Sequence, residues 1–214
     1  MPIMTTANDR LAALAKELVN AAAEKNIALR VLGGVAVYLT CPSIAMHSTL
    51  QRTLKDLDLV APRANLDALA ELFTARGMTT KTREESRWVF EKEGAEVELS
   101  DPIFRERQRI DFSARLALSS PTLPLADLLL IKLQRAPFAE KDIQDAIALL
   151  LDHPVARGEA EVQIDCAYIA QLCARNWGLH TTVYDNTVRL EQILDKYLPR
   201  EEAQRVWRRI ELLQ

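Results

Sequence analysis

Cysteine is scarce in this 214-residue sequence: Cys41, Cys166 and Cys173 make an odd number, and no two form a CxxC pair. That argues against a disulfide framework or a cysteine zinc site and suits a reducing, cytoplasmic compartment. Histidine is no richer. His47, His153 and His180 are scattered, without HxxxH or HExxH spacing, so no zinc centre is expected. There are only 6 Gly and 9 Pro beside 49% hydrophobic and 27% charged residues, which excludes a disordered, collagen-like or low-complexity chain. No hydrophobic run can span a bilayer, since the most apolar stretch, LADLLLIKL, is too short and holds Asp127 and Lys132. The opening residues MPIMTTANDR lack a charged region leading into an apolar core, so no signal peptide is expected. Charge of one sign is lacking too. The 27 Lys+Arg and 30 Asp+Glu leave a net charge of −3, which argues against a generally cationic nucleic-acid binder but leaves a local basic patch open.

What is present falls into two parts. In residues 8–26 the apolar positions Leu11, Leu14, Leu18 and Val19 have helical spacing, with Asn8 as the expected N-cap. Ile27 to Leu32 reads as a buried strand, broken by Gly33-Gly34, and VAVYL opens a short helix. LKDLDLVAP alternates at period two, placing Leu57 and Leu59 on one face and Asp56 and Asp58 on the other. NLDALAELFTAR predicts a second amphipathic helix, capped by Asn65 and stopped by Gly77. SRWVFEKEG, AEVELSD and RQRIDFSARL read as further strands. From Pro124 onward no strand is expected, and segments 124–135, 140–152, 163–176, 181–197 and 200–213 read as helices. The expected organisation is an α+β domain over residues 1–117 and a helical C-terminal domain over 118–214.

The chemistry-bearing constellation is Gly33-Gly34 followed by Asp56-Leu57-Asp58. On a strand, residues i and i+2 share a face about 6–7 Å apart. Two carboxylates so placed repel one another unless a cation lies between them. Mg²⁺ takes oxygen ligands and keeps places for substrate phosphates, and a pair of such ions can clamp both oxygens of a phosphoryl or nucleotidyl transfer. The glycine pair lets a backbone turn approach a phosphate at a helix N-terminus. A third carboxylate is expected on a neighbouring strand. AEVELSD supplies Glu98, the first choice, and Glu96 on one face; Asp111 is the reserve. An Asp-x-Asp alone also fits a half-exposed strand with alternating charge.

LGGVAVYL…RTLKDLDLV resembles the first motif of the nucleotidyltransferase superfamily, a hydrophobic residue, then Gly-Gly or Gly-Ser, then Asp-x-Asp or Asp-x-Glu. More narrowly it is similar to the minimal bacterial nucleotidyltransferases that include AbiE-type toxins of toxin–antitoxin pairs. The resemblance covers residues 27–151, with Arg52 four before the first Asp, Lys55 just before it, and Lys132, Lys141, Asp142 and Asp145 matching a later helical motif. It departs in the gap between Gly34 and Asp56, in Gly34 where a Ser is commoner, and in Glu98 where an Asp is commoner. The segment CPSIAMHSTLQ is expected to loop out near the site as a lid or partner contact.

The resemblance implies a nucleotidyltransferase-like α+β fold, a mixed sheet with flanking helices, followed by a C-terminal helical bundle. It implies Asp56, Asp58 and Glu98 as catalytic metal ligands for Mg²⁺, with Mn²⁺ as an alternative ion. Gly33, Gly34, Arg52, Lys55 and Lys132 would bind the nucleotide. An NMP would pass from an NTP to a hydroxyl acceptor, either a tRNA 3′ end or a protein, with an antitoxin as a further partner. The rival readings are a small-molecule enzyme of the antibiotic-modifying kind and an inactive binding module. Lys132 lies in an apolar helix, where its ammonium must reach a triphosphate, snorkel to water or pair with an acid. For Asp145 a wet helix face is expected. Arg105, Arg107 and Arg109 alternate and would form a basic stripe on a strand, joined by Lys81, Arg83 and Arg87, or else shield a strand edge. Trp88 and Phe90 are expected in the core, and Trp177 and Trp207 as packing residues of the helical part.

Overall fold

The computed structural model describes residues 6–214; the N-terminal reading above therefore rests partly on residues outside the described ones. Contacts group the chain into two units. The first holds the residues up to Leu39, then Thr53–Phe104 and Ile110–Leu123; the second holds Thr40–Arg52, Arg105–Arg109 and Pro124–Gln214. Among the described residues no helix is long and apolar enough to cross a membrane.

In the first unit, α1 (Ala7–Ala23) starts two residues earlier than the sequence suggests. Thr6 is the N-cap: its hydroxyl accepts the Asp9 N–H at 3.1 Å while Asp9 accepts the Thr6 N–H at 2.9 Å, a reciprocal capping box. Asn8 is diverted, its Oδ1 accepting the Leu54 N–H at 2.9 Å. The expected strand 27–32 shortens to β1 (Arg30–Leu32), and α2 (Gly33–Thr40) follows at once. Then come β2 (Asp56–Val60), α4 (Leu66–Ala75), β3 (Thr79–Arg83), β4 (Arg87–Lys92) and β5 (Ala95–Ser100); α3 (Ser43–Met46) belongs to the second unit. Asn65 stands at the N-cap position of α4 without a side-chain bond, because a 3₁₀ turn over Arg63–Asn65 leads into the helix. β3 escapes sequence reading because every one of its residues is exposed and no apolar alternation marks it.

These strands form one mixed sheet in the order β1-β2-β5-β4-β3. Only β2 and β5 are parallel. The alternation in β2 sets its faces: Leu57 and Leu59 are fully buried, Asp56 is exposed and Asp58 half-buried. Cross-strand register puts Val97, Leu99, Trp88 and Phe90 on the leucine side. That side receives α4, whose Phe73 meets Phe90 edge-on with ring centroids 5.2 Å apart. Trp88 and Phe90 are thus core residues, as their sequence context suggests, and Arg83 lies 4.1 Å over the Trp88 ring.

The second unit contains α5 (Leu125–Leu133), α6 (Glu140–Asp152), α7 (Cys166–Arg175), α8 (Trp177–Ile193) and α9 (Arg200–Glu211). It also holds two strands that the sequence did not announce. The expected strand over 107–116 is shorter than supposed: β6 (Ile103–Arg105) and β7 (Arg109–Asp111) form a separate two-stranded sheet, of which only Arg105–Arg109 fall in the second unit. β8 (Val155–Ala156) and β9 (Ile164–Asp165) pair in parallel for two residues each, too short to leave a periodicity. The segment expected to loop out after Gly34 does not do so. Cys41, Ile44 and Leu50 are buried within the second unit. The Ser43 N–H donates to Asp152 at 3.0 Å, Gln144 donates to the Thr49 carbonyl at 2.9 Å, and the Thr49 hydroxyl donates to the Tyr197 carbonyl at 2.6 Å. Its apolar residues bury more surface in a packed position than a lid could.

Tyr197 is expected to make the second unit sensitive to alkali. Its hydroxyl donates to Glu140 at 2.7 Å, and burial, followed by that carboxylate, pushes the phenol up to about 12. A raised phenol pKa favours the neutral form in the folded state, so its contribution is intact below pH 10 and is lost as the pH rises from about 10 to about 12. Thermal melts at stepped pH should show the wild-type midpoint falling faster over that window than that of Tyr197→Phe. Parallel curves for the two proteins would refute the assignment.

Candidate active site

The first unit assembles four carboxylates on one face of its sheet. Asp58 pairs in register with Glu98, and Asp56 with Glu96, across the parallel β2–β5 ladder. Residues paired in register present their side chains on the same side, so the sequence expectation for Asp56, Asp58, Glu96 and Glu98 agrees with the strand geometry. Asp111 is elsewhere: it lies on β7, outside this sheet, and its Oδ1 accepts the Ser113 N–H at 2.9 Å. Among the described residues no group of three or more His, Cys, Asp or Glu side chains is drawn together tightly enough to hold a metal ion. Glu98 meets a cation of the protein itself: its Oε2 accepts Arg87 Nη2 at 2.6 Å. This pairing raises the Arg87 pKa, with the Glu98 bond the largest cause. Arg87, read from sequence as part of a basic stripe, is therefore the residue that orients Glu98. Only the antiparallel β4–β5 register, which places Val89 opposite Glu98 and Arg87 opposite Ser100, brings the two within reach.

Gly33 closes the other side of Asp58. It directly follows Leu32, the antiparallel partner of Asp58, and has φ +70°. A Cβ at Gly33 would stand 2.1 Å from Asp58 Oδ2. The glycine thus serves two needs, a left-handed backbone at the β1–α2 junction and room for a carboxylate against that backbone. Gly33→Ala should lose roughly 1–3 kcal/mol of stability from backbone strain alone and swing Asp58 out of register. The double variant Gly33→Ala/Asp58→Gly would remove the clash and retain the strain. Equal denaturation midpoints for Gly33→Ala and wild type would contradict this reading.

Lys55 is exposed and borders a trough of about 500 Å³ in the first unit, lined by Leu11, Leu14 and Leu54 together with Arg10 and Lys92. Arg52 and Lys132 lie in the second unit, where Asp145 brings them together. Lys132 Nζ is 2.8 Å from Asp145 Oδ2 and 3.6 Å from Asp142 Oδ1. Arg52 grips the same Asp145 with both ends of its fork, Nε to Oδ1 at 3.2 Å and Nη2 to Oδ2 at 2.8 Å. The wet-face expectation for Asp145 is overturned: its side chain is only 5% exposed, because one carboxylate sits between two cations on a packed helix. Of the three routes open to Lys132, the ammonium takes the pair with an acid. The arginine stripe is also corrected. A turn over residues 106–108 separates β6 from β7, so Arg105, Arg107 and Arg109 do not share one strand.

A family profile described as "Uncharacterised nucleotidyltransferase" matches residues 3–128. No curated protein matches the chain. Among solved structures, ANT(2")-Ia in complex with adenylyl-2"-tobramycin is similar at 13% identity and TM-score 0.48, over 84% of this chain and 98% of that one. JHP933 from Helicobacter pylori is similar at 15% identity and TM-score 0.42, over 94% and 91%. An antigenic nucleotidyltransferase-like protein from Paracoccidioides brasiliensis is similar at 17% identity and TM-score 0.41, over 82% and 93%. The profile match spans more than half of the chain, and the protein therefore belongs to this nucleotidyltransferase family and is a transferase.

Proposed function

We propose that the protein transfers a nucleoside monophosphate from an NTP to a hydroxyl acceptor at the acidic face of the first unit. The observation that carries this reading is the in-register pair Asp58–Glu98, with Asp56 on the same face and Gly33 making room for Asp58. The donor set fits a divalent cation in its chemistry: Asp56 and Asp58 are hard oxygen donors alternating on one strand, and their mutual repulsion is relieved by a cation. Asp56 and Asp58 would hold Mg²⁺, with Mn²⁺ as the alternative; the ion supplies charge neutralisation at the phosphates. Glu98 would complete the set through Oε1, because Oε2 is engaged by Arg87.

In this reading the acceptor oxygen attacks the α-phosphorus, the α–β phosphoanhydride bond breaks and pyrophosphate leaves with the electron pair. The hydroxyl proton passes to the Glu98 carboxylate, which Arg87 holds in one orientation. Gly33 and Gly34 would let the start of α2 approach the phosphates closely, where the helix dipole favours negative charge. Lys55 would add positive charge next to Asp56.

The acceptor proposed is a tRNA 3′ end or a protein. The sequence spacing of Arg52 and Lys55 ahead of the two aspartates supports a place among toxin-type enzymes of the cytoplasm that an antitoxin protein restrains. The test is incubation with each α-labelled NTP, Mg²⁺ and total tRNA or a protein extract, beside Asp56→Ala. Label on an acceptor that vanishes in the variant supports the reading. Label on neither acceptor, together with no metal–NTP binding by calorimetry, would sink it.

A further inference from the structure

Helix α8 carries a column of aromatic rings in water. Trp177 is 79% exposed and Tyr184 46%, and His180 between them is exposed too. This overturns the expectation that Trp177 packs inside; Trp207 on α9, 44% exposed, is likewise no core residue. The three ladder residues stand at i, i+3 and i+7 and share one helix face. Their planes are nearly parallel, Trp177 and His180 at 5.2 Å and 17°, His180 and Tyr184 at 6.2 Å and 6°. The opposite face supplies the packing, with Leu179, Val183 and Leu190 buried. A stacked apolar column left in solvent on an otherwise amphipathic helix points to a ligand with flat faces.

The same end of α8 holds the arginine-rich turn between β6 and β7, and both belong to the second unit. Asn176 Nδ2 donates to Gln108 Oε1 at 3.1 Å, and a Cβ on Gly178 would stand 2.6 Å from Gln108 Nε2. The residues on either side of Trp177 therefore press on Gln108, whose chain neighbours are Arg107 and Arg109. Both arginines are exposed, as is Arg175 at the end of α7. None of the three has an ion-pair partner among the described residues. Glu106, the acid within the turn, is occupied by Arg135.

We propose that this corner of the second unit binds a single strand of nucleic acid, with a base stacked on the outer face of Trp177 and phosphates met by Arg107, Arg109 and Arg175. A single strand repeats a planar base and a phosphate, and the surface offers planar rings beside unpaired cations. An acidic peptide would use the arginines and leave the ring column unexplained. A second copy of the chain would bring its own arginines to a patch that is already cationic. The inference goes beyond the transfer reaction and does not depend on it, since it concerns binding in the absence of nucleotide and metal.

Fluorescence anisotropy with a labelled oligoadenylate of about twelve nucleotides tests it on the full chain without NTP or Mg²⁺. Wild type should bind and weaken steeply with salt. Trp177→Ala should weaken binding about tenfold, Trp177→Phe should restore most of it, and Trp207→Ala should leave it unchanged. Arg107→Ala/Arg109→Ala should reduce the salt slope by about 1.4, the counterion release of two phosphate contacts. In a Trp207→Phe background the oligonucleotide should quench the indole emission, and Trp177→Phe should abolish that quench. No binding at about 50 mM salt, or binding indifferent to Trp177 and to both arginines, would overturn the proposal. Equal affinity for a duplex, or Trp177-dependent dimerisation in sedimentation without oligonucleotide binding, would overturn it as well. Calorimetry of metal–NTP binding on the same variants separates this outcome from a failure of the transfer reading, because Trp177 and the turn arginines have no part in it.

Discussion

Asp145→Ala is expected to destabilise the protein by about 3–5 kcal/mol, the range for removing one partner of a buried ion pair. Asp145 is the shared anion of two cations. Its loss leaves Lys132, 6% exposed, with only the 3.6 Å contact to Asp142, and deprives Arg52 of both its bonds to Asp145. The cost is the uncompensated charge and not the net value of the bridges, because desolvation offsets most of the attraction within an intact pair. A second substitution distinguishes the two. Lys132→Met/Asp142→Asn/Asp145→Leu should recover most of the loss, since no buried charge of the cluster is then left unpaired and Arg52, with 21% of its side chain exposed, can turn to water. Urea denaturation checks both: a loss below about 1 kcal/mol for Asp145→Ala would mean that Lys132 escapes to solvent.

Asp58→Asn should reduce nucleotidyl transfer on the order of 10³-fold, the scale of losing a principal electrostatic contact in the transition state. The amide keeps the volume that fits against Gly33 and removes the charge, so the fold should persist. Single-turnover labelling gives the rate, and the thermal midpoint, within a few degrees of wild type, gives the fold. Retention of more than about a tenth of the wild-type rate would remove Asp58 from the metal set. Glu98→Gln gives a smaller and more informative change, because Arg87 can still bond a glutamine oxygen while the proton acceptor is gone. Its kcat should fall with little change in KM.

The acidic face was legible because period-two alternation requires no tertiary information: once Leu57 and Leu59 are buried, Asp56 and Asp58 must face the other way. Glu96 and Glu98 were legible for the same reason within β5. The glycine at position 33 was legible as a turn, although not as the space against which Asp58 rests. Arg87 as the partner of Glu98 was not legible, since eleven residues of separation mean contact only after a hairpin register is chosen. Asp145 was misjudged because a charged residue on an amphipathic helix normally faces water. Here the cations that bury it come from Arg52 and from α5, far away in the chain. The long gap between Gly34 and Asp56 suggests an insertion that loops out, whereas Cys41, Ile44 and Leu50 anchor the segment by burial.

Local sequence thus determined the longer helices, the strands β1, β2, β4 and β5, the face of the sheet on which four carboxylates collect, and a glycine turn after β1. Those features follow from backbone sterics and from side-chain periodicity, which act over a few residues. Tertiary structure alone decided which cation each carboxylate meets: Arg87 for Glu98, Arg52 and Lys132 for Asp145. It also decided that the Trp177 ring stays in water beside unpaired arginines. Charge pairing acts between side chains brought within about 4 Å by packing, and no local rule records which distant residue the fold will deliver there.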